Sequence, residues 1–290
     1  MINLKKLIDD YKGKGKNIHV PNSNKLTGQG FVSISKYSGL VSVTKRRSSK
    51  EIAKDWNNNF GLKKNYNSKN PAVVSRHIYT AETIKSFLDL RDKSIIDLGA
   101  GEGNFLKIFS KKKFLKKISA VEPSSKNCKK ITSLGIKAFN ETIEDFALKS
   151  KEKFDIATLV WTLCNCSDPM QVIKSSHNIL KKNGFIVIAE GSRIMVPFKK
   201  PIQMYFSKKQ KPDLHPFHFS KNSLLNLLIL NKFRPVFVNR YIDNDNLVVI
   251  AKKIDKIESH KIKLENYKKV KNFFIEWYQN SKKYKKEIIV

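Results

Sequence analysis

The run Asp97-Leu-Gly99-Ala-Gly101-Glu-Gly103-Asn104 places three glycines at alternating positions, the first two residues after a carboxylate. Glycine lets a backbone turn sharply and lets a ligand approach where a Cβ would collide. A dinucleotide fingerprint spaced G-x-G-x-x-G would need glycine at position 104, where this chain has asparagine. The spacing D-x-G-x-G-x-G suits a zwitterionic, sulfonium-bearing ligand better than a pyrophosphate. Glu122 follows about 20 residues beyond the last glycine, at the end of an apolar run, where an acid can take both hydroxyls of a ribose. Taken alone, Glu122 reads equally well as a solvated strand end; the loop before it favours the ribose role.

These residues need a scaffold of strands and helices, and the sequence supplies one. Short apolar runs alternate with helical patterns from Ser94 to about Lys182, as in a parallel sheet covered on both faces. Ser94–Leu98, Ile118–Glu122, Ile136–Phe139, Phe154–Val160 and Gly184–Glu190 read as strands. Asn104–Lys112, a stretch from Ser124 and Pro169–Leu180 read as the helices between them. Such short links leave little freedom but a right-handed α/β wind. An irregular stretch with Pro197, Pro201, Pro212 and Pro216 follows, then a helix capped by Ser220. Strands at Arg234–Arg240 and Asn246–Lys252, joined by Asp243–Asn246, predict an antiparallel edge hairpin. A last helix is expected over Lys261–Lys282. Upstream, Phe31–Ser35 and Leu40–Thr44 suggest a small hairpin, and Glu51–Asn57 and Thr80–Leu90 look helical. The expected fold is a doubly wound, Rossmann-like α/β core with a seven-stranded, mostly parallel sheet. Residues 1–79 read as an N-terminal accessory region, 80–255 as the core with an insert at 192–219, and 256–290 as a C-terminal helical extension.

Together, the loop, Glu122 and this strand order resemble the class I methyltransferases dependent on S-adenosyl-L-methionine (SAM), over about Thr80 to Lys252. The resemblance implies that Asp97, Gly99, Ala100, Gly101, Gly103 and Asn104 surround the methionine part of the cofactor. It implies ribose contacts from Glu122 beside Pro123, and an adenine edge formed by Thr142, Ile143 and Glu144. Trp161 and Leu163, in Trp161-Thr-Leu-Cys-Asn-Cys-Ser-Asp-Pro169, fall where that family has a strand end facing cofactor and substrate. Farther upstream, Ser35-Lys-Tyr-Ser38-Gly-Leu-Val41, then Arg46-Arg-Ser-Ser-Lys-Glu51 and Trp56, is similar to the zinc-ribbon segment of sugar C-methyltransferase-like enzymes. Ser35 and Ser38 stand at the cysteine positions, and a serine is no thiolate ligand at neutral pH, so no metal is expected.

The same likeness draws attention to Asp213-Leu-His215-Pro-Phe-His218-Phe-Ser220. Methyl transfer is an in-line displacement at an already activated carbon, so the protein chiefly aligns and desolvates the two centres. An acceptor oxygen or carbon must also lose a proton, and a neutral imidazole is a suitable base near pH 7. His215 and His218 are the candidate catalytic residues; helix capping or loop filling is the other reading of each. His77 and Tyr79, ahead of the first core helix, and Tyr205, in the insert, are weaker candidates. Cys164 and Cys166 read as packing residues.

Composition narrows the partners. The formal charge is +32, but only seven of the 57 basic residues are arginine. Nucleic-acid reading leans on the arginine fork, so the lysines read first as a solvated surface, with an RNA, acidic lipid or anionic substrate as the other possibility. Three cysteines, no signal-peptide pattern and no apolar run of membrane-spanning length fit a cytoplasmic setting. The Asn/Asp-Pro-Pro-aromatic tetrapeptide of many amino-group methylating enzymes is missing after the fourth strand, which favours O- or C-methylation. The expected activity is therefore SAM-dependent methylation of a small molecule, foremost a sugar, as a nucleotide-linked or polysaccharide precursor. The alternatives are an RNA or protein acceptor, and a non-catalytic SAM-binding or dinucleotide-binding protein.

Overall fold

The computed structural model describes residues 2–20, 23, 30–55, 57, 70–110, 114–191, 215–240 and 246–284. In chain order they form α1 (Leu4–Tyr11), β1 (Asn17–His19), β2 (Val32–Ser35), β3 (Val41–Val43), α2 (Ser49–Asp55), α3 (Pro71–Phe87) and β4 (Ser94–Leu98). Then come α4 (Asn104–Ser110), β5 (Lys117–Val121), α5 (Ser125–Ser133), β6 (Lys137–Phe139), α6 (Ile143–Lys149), β7 (Phe154–Val160) and α7 (Pro169–Ile179). The last elements are β8 (Leu180–Glu190), β9 (Phe217–His218), α8 (Lys221–Leu230), β10 (Phe233–Val238), β11 (Leu247–Lys253) and α9 (Tyr267–Tyr284).

Local chemistry explains where the elements begin. Ser124, Thr142 and Asp168 each accept a backbone N–H of the following first turn, starting α5, α6 and α7. Pro169 sits at the first position of α7, where its missing N–H would have had no partner. Ser220 and Ser223 form a reciprocal capping box at the start of α8. β4 is buried at all its positions, as a strand covered by helices on both faces must be.

The main sheet has seven strands in the order β10-β11-β8-β7-β4-β5-β6, with β11 antiparallel to both β8 and β10 and the other pairs parallel. The α/β expectation therefore holds. The chain winds outward from β4 through β5 and β6, then returns to place β7 on the other side of β4. That reversal opens a crevice at the carboxyl ends of β4 and β7.

A second sheet, β1-β2-β3-β9, is antiparallel throughout. Its fourth strand comes from far along the chain: Val41 pairs with His218 and Ser42 with Phe217. Helix α9 covers it, packing Val270 and Phe274 against Val32, Ile34 and Val41. The turn after β2 carries the two serines of the ribbon-like segment. Ser35 Oγ accepts the N–H groups of Tyr37 and Ser38 and donates to the buried carboxylate of Asp10, 2.5 Å away. No group of His, Cys, Asp and Glu among the described residues could hold a metal.

Several details differ from the sequence expectations. Helix α1 was not foreseen, although Leu4, Leu7, Ile8 and Tyr11 have helical spacing; neighbouring lysines and aspartates obscured it. Strands β1 and β9 are too short to carry an alternation. Helix α3 begins at Pro71 under an Asn70 cap, so it runs across the expected boundary at residues 79/80, and His77 and Tyr79 lie inside it. Helix α9 starts at Tyr267, later than expected, where Asn266 Oδ1 accepts the first-turn N–H groups of Lys268 and Lys269; a 3-10 turn at Ser259–Lys261 precedes it. Trp56, Tyr205, most of the insert and the turn before Asn246 lie outside the described residues. No helix among the described residues is long and apolar enough to cross a membrane.

Candidate active site

The glycine loop leaves β4 at the mouth of the crevice. Gly99 has φ 77°, and a Cβ there would lie 2.4 Å from Thr162 Cγ2, so the loop can approach the turn after β7 only as glycine. Thr162 Oγ1 donates to the Gly99 carbonyl at 3.1 Å and ties the two segments together. Gly101 differs: a Cβ there would meet nothing within 4 Å, so its backbone faces open space. Its N–H donates to Glu122 Oε2 at 2.8 Å. Ala100 donates to the Val121 carbonyl, and Gly103 and Asn104 lead into α4.

Two buried carboxylates lie beneath and beside this loop. Asp97 accepts from Thr158 Oγ1 at 2.6 Å; burial pushes its carboxyl up to about 7, and the charge of Glu122 pushes the same way. Glu122 also accepts from the Ser124 N–H at 3.0 Å and from Asn127 Nδ2. Burial raises its carboxyl too, against the lowering effect of those donors. Pro123 follows it, its carbonyl held by Asn140 Nδ2 at 2.9 Å.

The opposite wall is the turn after β7. Trp161 has φ 58°, a left-handed conformation that is rare for a bulky residue and concentrates at functional sites. Its indole Nε1 is buried without a hydrogen-bond partner, and the Arg76 guanidinium lies 4.3 Å from its ring centroid. Leu163 is fully buried in a 3-10 turn. Near it, Thr142 caps α6, Ile143 is buried, and Glu144, raised by burial, accepts from Ser49 Oγ at 3.4 Å. Ser49 also shares a 2.8 Å hydrogen bond with Ser167, so α2 reaches both segments.

The histidine segment arrives through β9. His215 and His218 have ring centroids 6.5 Å apart, and His218 is buried. Beside them Glu190 ends β8 with its carboxyl pushed up to about 7 by burial, while His215 pulls it down. Cys164 is buried, and burial raises the Cys166 thiol, with Glu144, Glu190 and Asp168 adding to the effect. Neither cysteine is a ready nucleophile. His77 packs edge-on against Phe105, and burial lowers its pKa. Tyr79 points elsewhere: its hydroxyl accepts from Asn239 Nδ2 at the β10 side of the sheet. Tyr205 lies outside the described residues.

Thus the structure gathers Asp97, the glycine loop, Glu122, Trp161 and Leu163 around one crevice. Sequence reasoning passed over Thr158, Thr162, Ser49 and Glu190. Glu190 had a visible signal, since like Asp97 and Glu122 it is an acid near the carboxyl end of a core strand.

Comparison with known proteins agrees with this arrangement. A family model described as a methyltransferase domain matches residues 74–229, more than half of the chain. The demethylmenaquinone methyltransferase of Alkalihalophilus pseudofirmus is 34% identical over 61 residues, 21% of this chain and 26% of that protein. The chain thus spans about a quarter of that relative's length. Among solved structures, the plantazolicin methyltransferase BpumL in complex with SAH superposes with a TM-score of 0.53 at 15% identity, covering 70% of this chain and 94% of that one. A chain in the complex of the Haloferax volcanii Trm112 methyltransferase activator gives 0.54 at 11% identity, covering 72% and 99%. Likenesses this remote bear on the fold, while the family match spans strands β4 to β8 and the glycine loop. The chain belongs to the methyltransferase-domain family.

Proposed function

We propose that this protein is a SAM-dependent methyltransferase acting on a small molecule, a sugar in nucleotide-linked or polysaccharide-precursor form, at oxygen or carbon, in the reducing cytoplasm. The observation that carries the sugar reading is the second sheet. Its Ser35–Ser38 turn clasps the carboxylate of Asp10 where the sugar C-methyltransferase-like enzymes have a zinc-bound cysteine pair. The same sheet takes β9 as its edge, and β9 delivers His218, with His215 just before it.

The crevice suits SAM. The open space in front of Gly101 leaves room for a ligand against the backbone, and two buried carboxylates flank it. In this reading Asp97 and the loop from Gly99 to Asn104 hold the methionine part. Glu122 and Pro123 border the ribose, and Thr142, Ile143 and Glu144 the adenine. Trp161 and Leu163 face the reacting end. Bound SAM supplies an electrophilic methyl carbon on a sulfonium. The protein must align the acceptor, exclude water and take up the acceptor's proton.

A basic groove of about 480 Å³, lined by Lys182, Arg234, Lys252 and Lys253 among others, is the feature best suited to an RNA or protein acceptor. It lies at the amino end of β8, whereas the glycine loop and Glu190 are at the carboxyl ends of their strands. A polyanion bound there would sit far from the methyl group, so the small-molecule reading is preferred.

Two results are expected. With SAM as probe, affinity should fall by up to about tenfold per pH unit below about 7 and level off above it. The reason is that SAM-free Asp97 holds its proton up to about pH 7, and the cationic ligand favours the ionised form, so binding releases a proton. Titration calorimetry between pH 5.5 and 8.5 reads this directly, and a flat profile would remove Asp97 from the contact set. In a screen of sugar acceptors with radiolabelled SAM, His215→Ala or His218→Ala should lower turnover by about a hundredfold at nearly unchanged SAM affinity. Parallel loss of both quantities would assign the histidine to folding instead.

A further inference from the structure

Helix α2 belongs to the N-terminal region, yet it is fastened to the core on both sides of the crevice. At its start, Ser49 Oγ shares a 2.8 Å hydrogen bond with Ser167 Oγ and donates to Glu144 Oε1 at 3.4 Å. Two residues beyond its end, Asn57 Oδ1 accepts the Ser125 N–H at 3.0 Å. Ser125 opens α5, three residues after Glu122, while Glu144 lies in the first turn of α6 and Ser167 just before the Asp168 cap of α7. All three anchor points therefore sit in the links that leave the carboxyl ends of β5, β6 and β7.

The dimensions are those of a bridge. Strands β5 and β7 flank β4 in the sheet, two steps apart, which is about 10 Å at the usual strand spacing. The seven residues of α2 rise about 10 Å. The end of β4, where the glycine loop begins, thus lies between the two fastenings. The helix is set locally by a capping box: Glu51 Oε2 accepts the Ser48 N–H at 2.7 Å, and Ser48 Oγ accepts the Glu51 N–H at 3.2 Å.

The inner face of this bridge is apolar and has room for a partner. Ser49, Ile52 and Ala53 share one face by their i, i+3, i+4 spacing, and the Ser49 bonds turn that face to the core. Lys50, Glu51 and Lys54, on the other side, are exposed. Ile52 and Ala53 are only half-buried, and they join none of the three hydrophobic clusters formed by the described residues. Small-molecule sites pair apolar walls with a few placed polar groups. Here the polar groups are Glu122 and the Thr142–Glu144 turn, assigned above to the ribose and the adenine edge, and both lie beside the anchor points of α2.

We propose that α2 covers the adenosyl half of the cofactor site: Ile52 and Ala53 lie against the adenine face of bound SAM or S-adenosylhomocysteine (SAH), and the Ser49 and Asn57 bonds hold them there. This rests on the SAM reading above. The N-terminal region then completes the cofactor site, and the bound nucleoside leaves when a fastening opens.

The probes are SAH and methylthioadenosine, which keeps the adenosine and lacks the amino-acid part. In titration calorimetry Ile52→Ala should weaken both by the same factor, about fivefold, the scale of the apolar area withdrawn from one ring face. Ile52→Met keeps an apolar chain of similar size on a helix and should bind both as the wild type does. In stopped-flow fluorescence Asn57→Ala should release SAH about fivefold faster, as expected for one hydrogen bond lost from the bound state. Unchanged SAH affinity in Ile52→Ala, or a loss that spares methylthioadenosine, would overturn the proposal. An equal loss in Ile52→Met would overturn it too, because it would show a disturbed helix instead of a missing apolar contact. Failure of the wild type to bind SAH would sink the methyltransferase reading, whereas SAH binding indifferent to residue 52 would sink only the cover.

Discussion

Glu122→Ala is expected to weaken SAM binding by about tenfold or more, the scale of a lost charge-assisted hydrogen bond. The carboxylate has two tasks that the substitution removes together. One is the proposed grip on the ribose. The other is visible in the structure: Oε2 receives the Gly101 N–H and Oε1 the Ser124 N–H, so Glu122 joins the glycine loop to the start of α5. Glu122→Gln separates the two. Its amide can still accept from Ser124, but it presents a donor to the Gly101 donor, so the loop loses its anchor while the volume is kept. Both variants should bind SAM more weakly, and the alanine should be the worse. Affinity unchanged in Glu122→Ala would remove the ribose assignment.

Phe217→Ala should destabilise the protein by about 3–5 kcal/mol, the range for deleting a fully buried phenylalanine. For a chain of this size that corresponds to a melting temperature lower by on the order of 10 °C. Phe217 has no exposed surface, stacks on Phe219 with centroids 5.7 Å apart, and carries the Arg46 guanidinium 4.3 Å from its ring centroid. Arg46 in turn donates to the Tyr11 carbonyl at 2.8 Å, so one ring holds α1, the second sheet and β9 together. The loss should therefore be functional as well as thermal. His215 and His218 would lose their fixed place, and turnover should fall at 25 °C, where most of the variant is still folded. Thermal unfolding followed by circular dichroism reads the first effect; an unchanged midpoint would show that β9 contributes little to the packing.

How much of this was legible in the sequence depended on how local the signal was. The strands of the core are continuous apolar runs with acids at their ends, and the caps Ser124, Asp168 and Ser220 stand directly before the helices they start. Those features can be read within a dozen residues. The glycine loop was equally readable, because its spacing and the acid before it are both local. Strand β9 was not, since two residues carry no alternation and their pairing partner, β3, lies about 175 residues upstream. For the same reason the accessory region was separable in sequence, yet in space it shares a sheet with the end of the insert. Glu190 carried the strand-end signal of Asp97 and Glu122, but that signal alone does not separate an acid in solvent from one buried against Leu163 and Cys164. Only the fold supplies that difference, as it does for the left-handed backbone of Trp161.

The most direct test of the central claim is isothermal titration of the purified protein with SAM, with S-adenosylhomocysteine and, as a control, with NADH. The account predicts micromolar binding of the first two at one site per chain and no heat from NADH, because Asn104 stands where a dinucleotide loop needs its third glycine. No binding of SAM, or binding of NADH in its place, would contradict it.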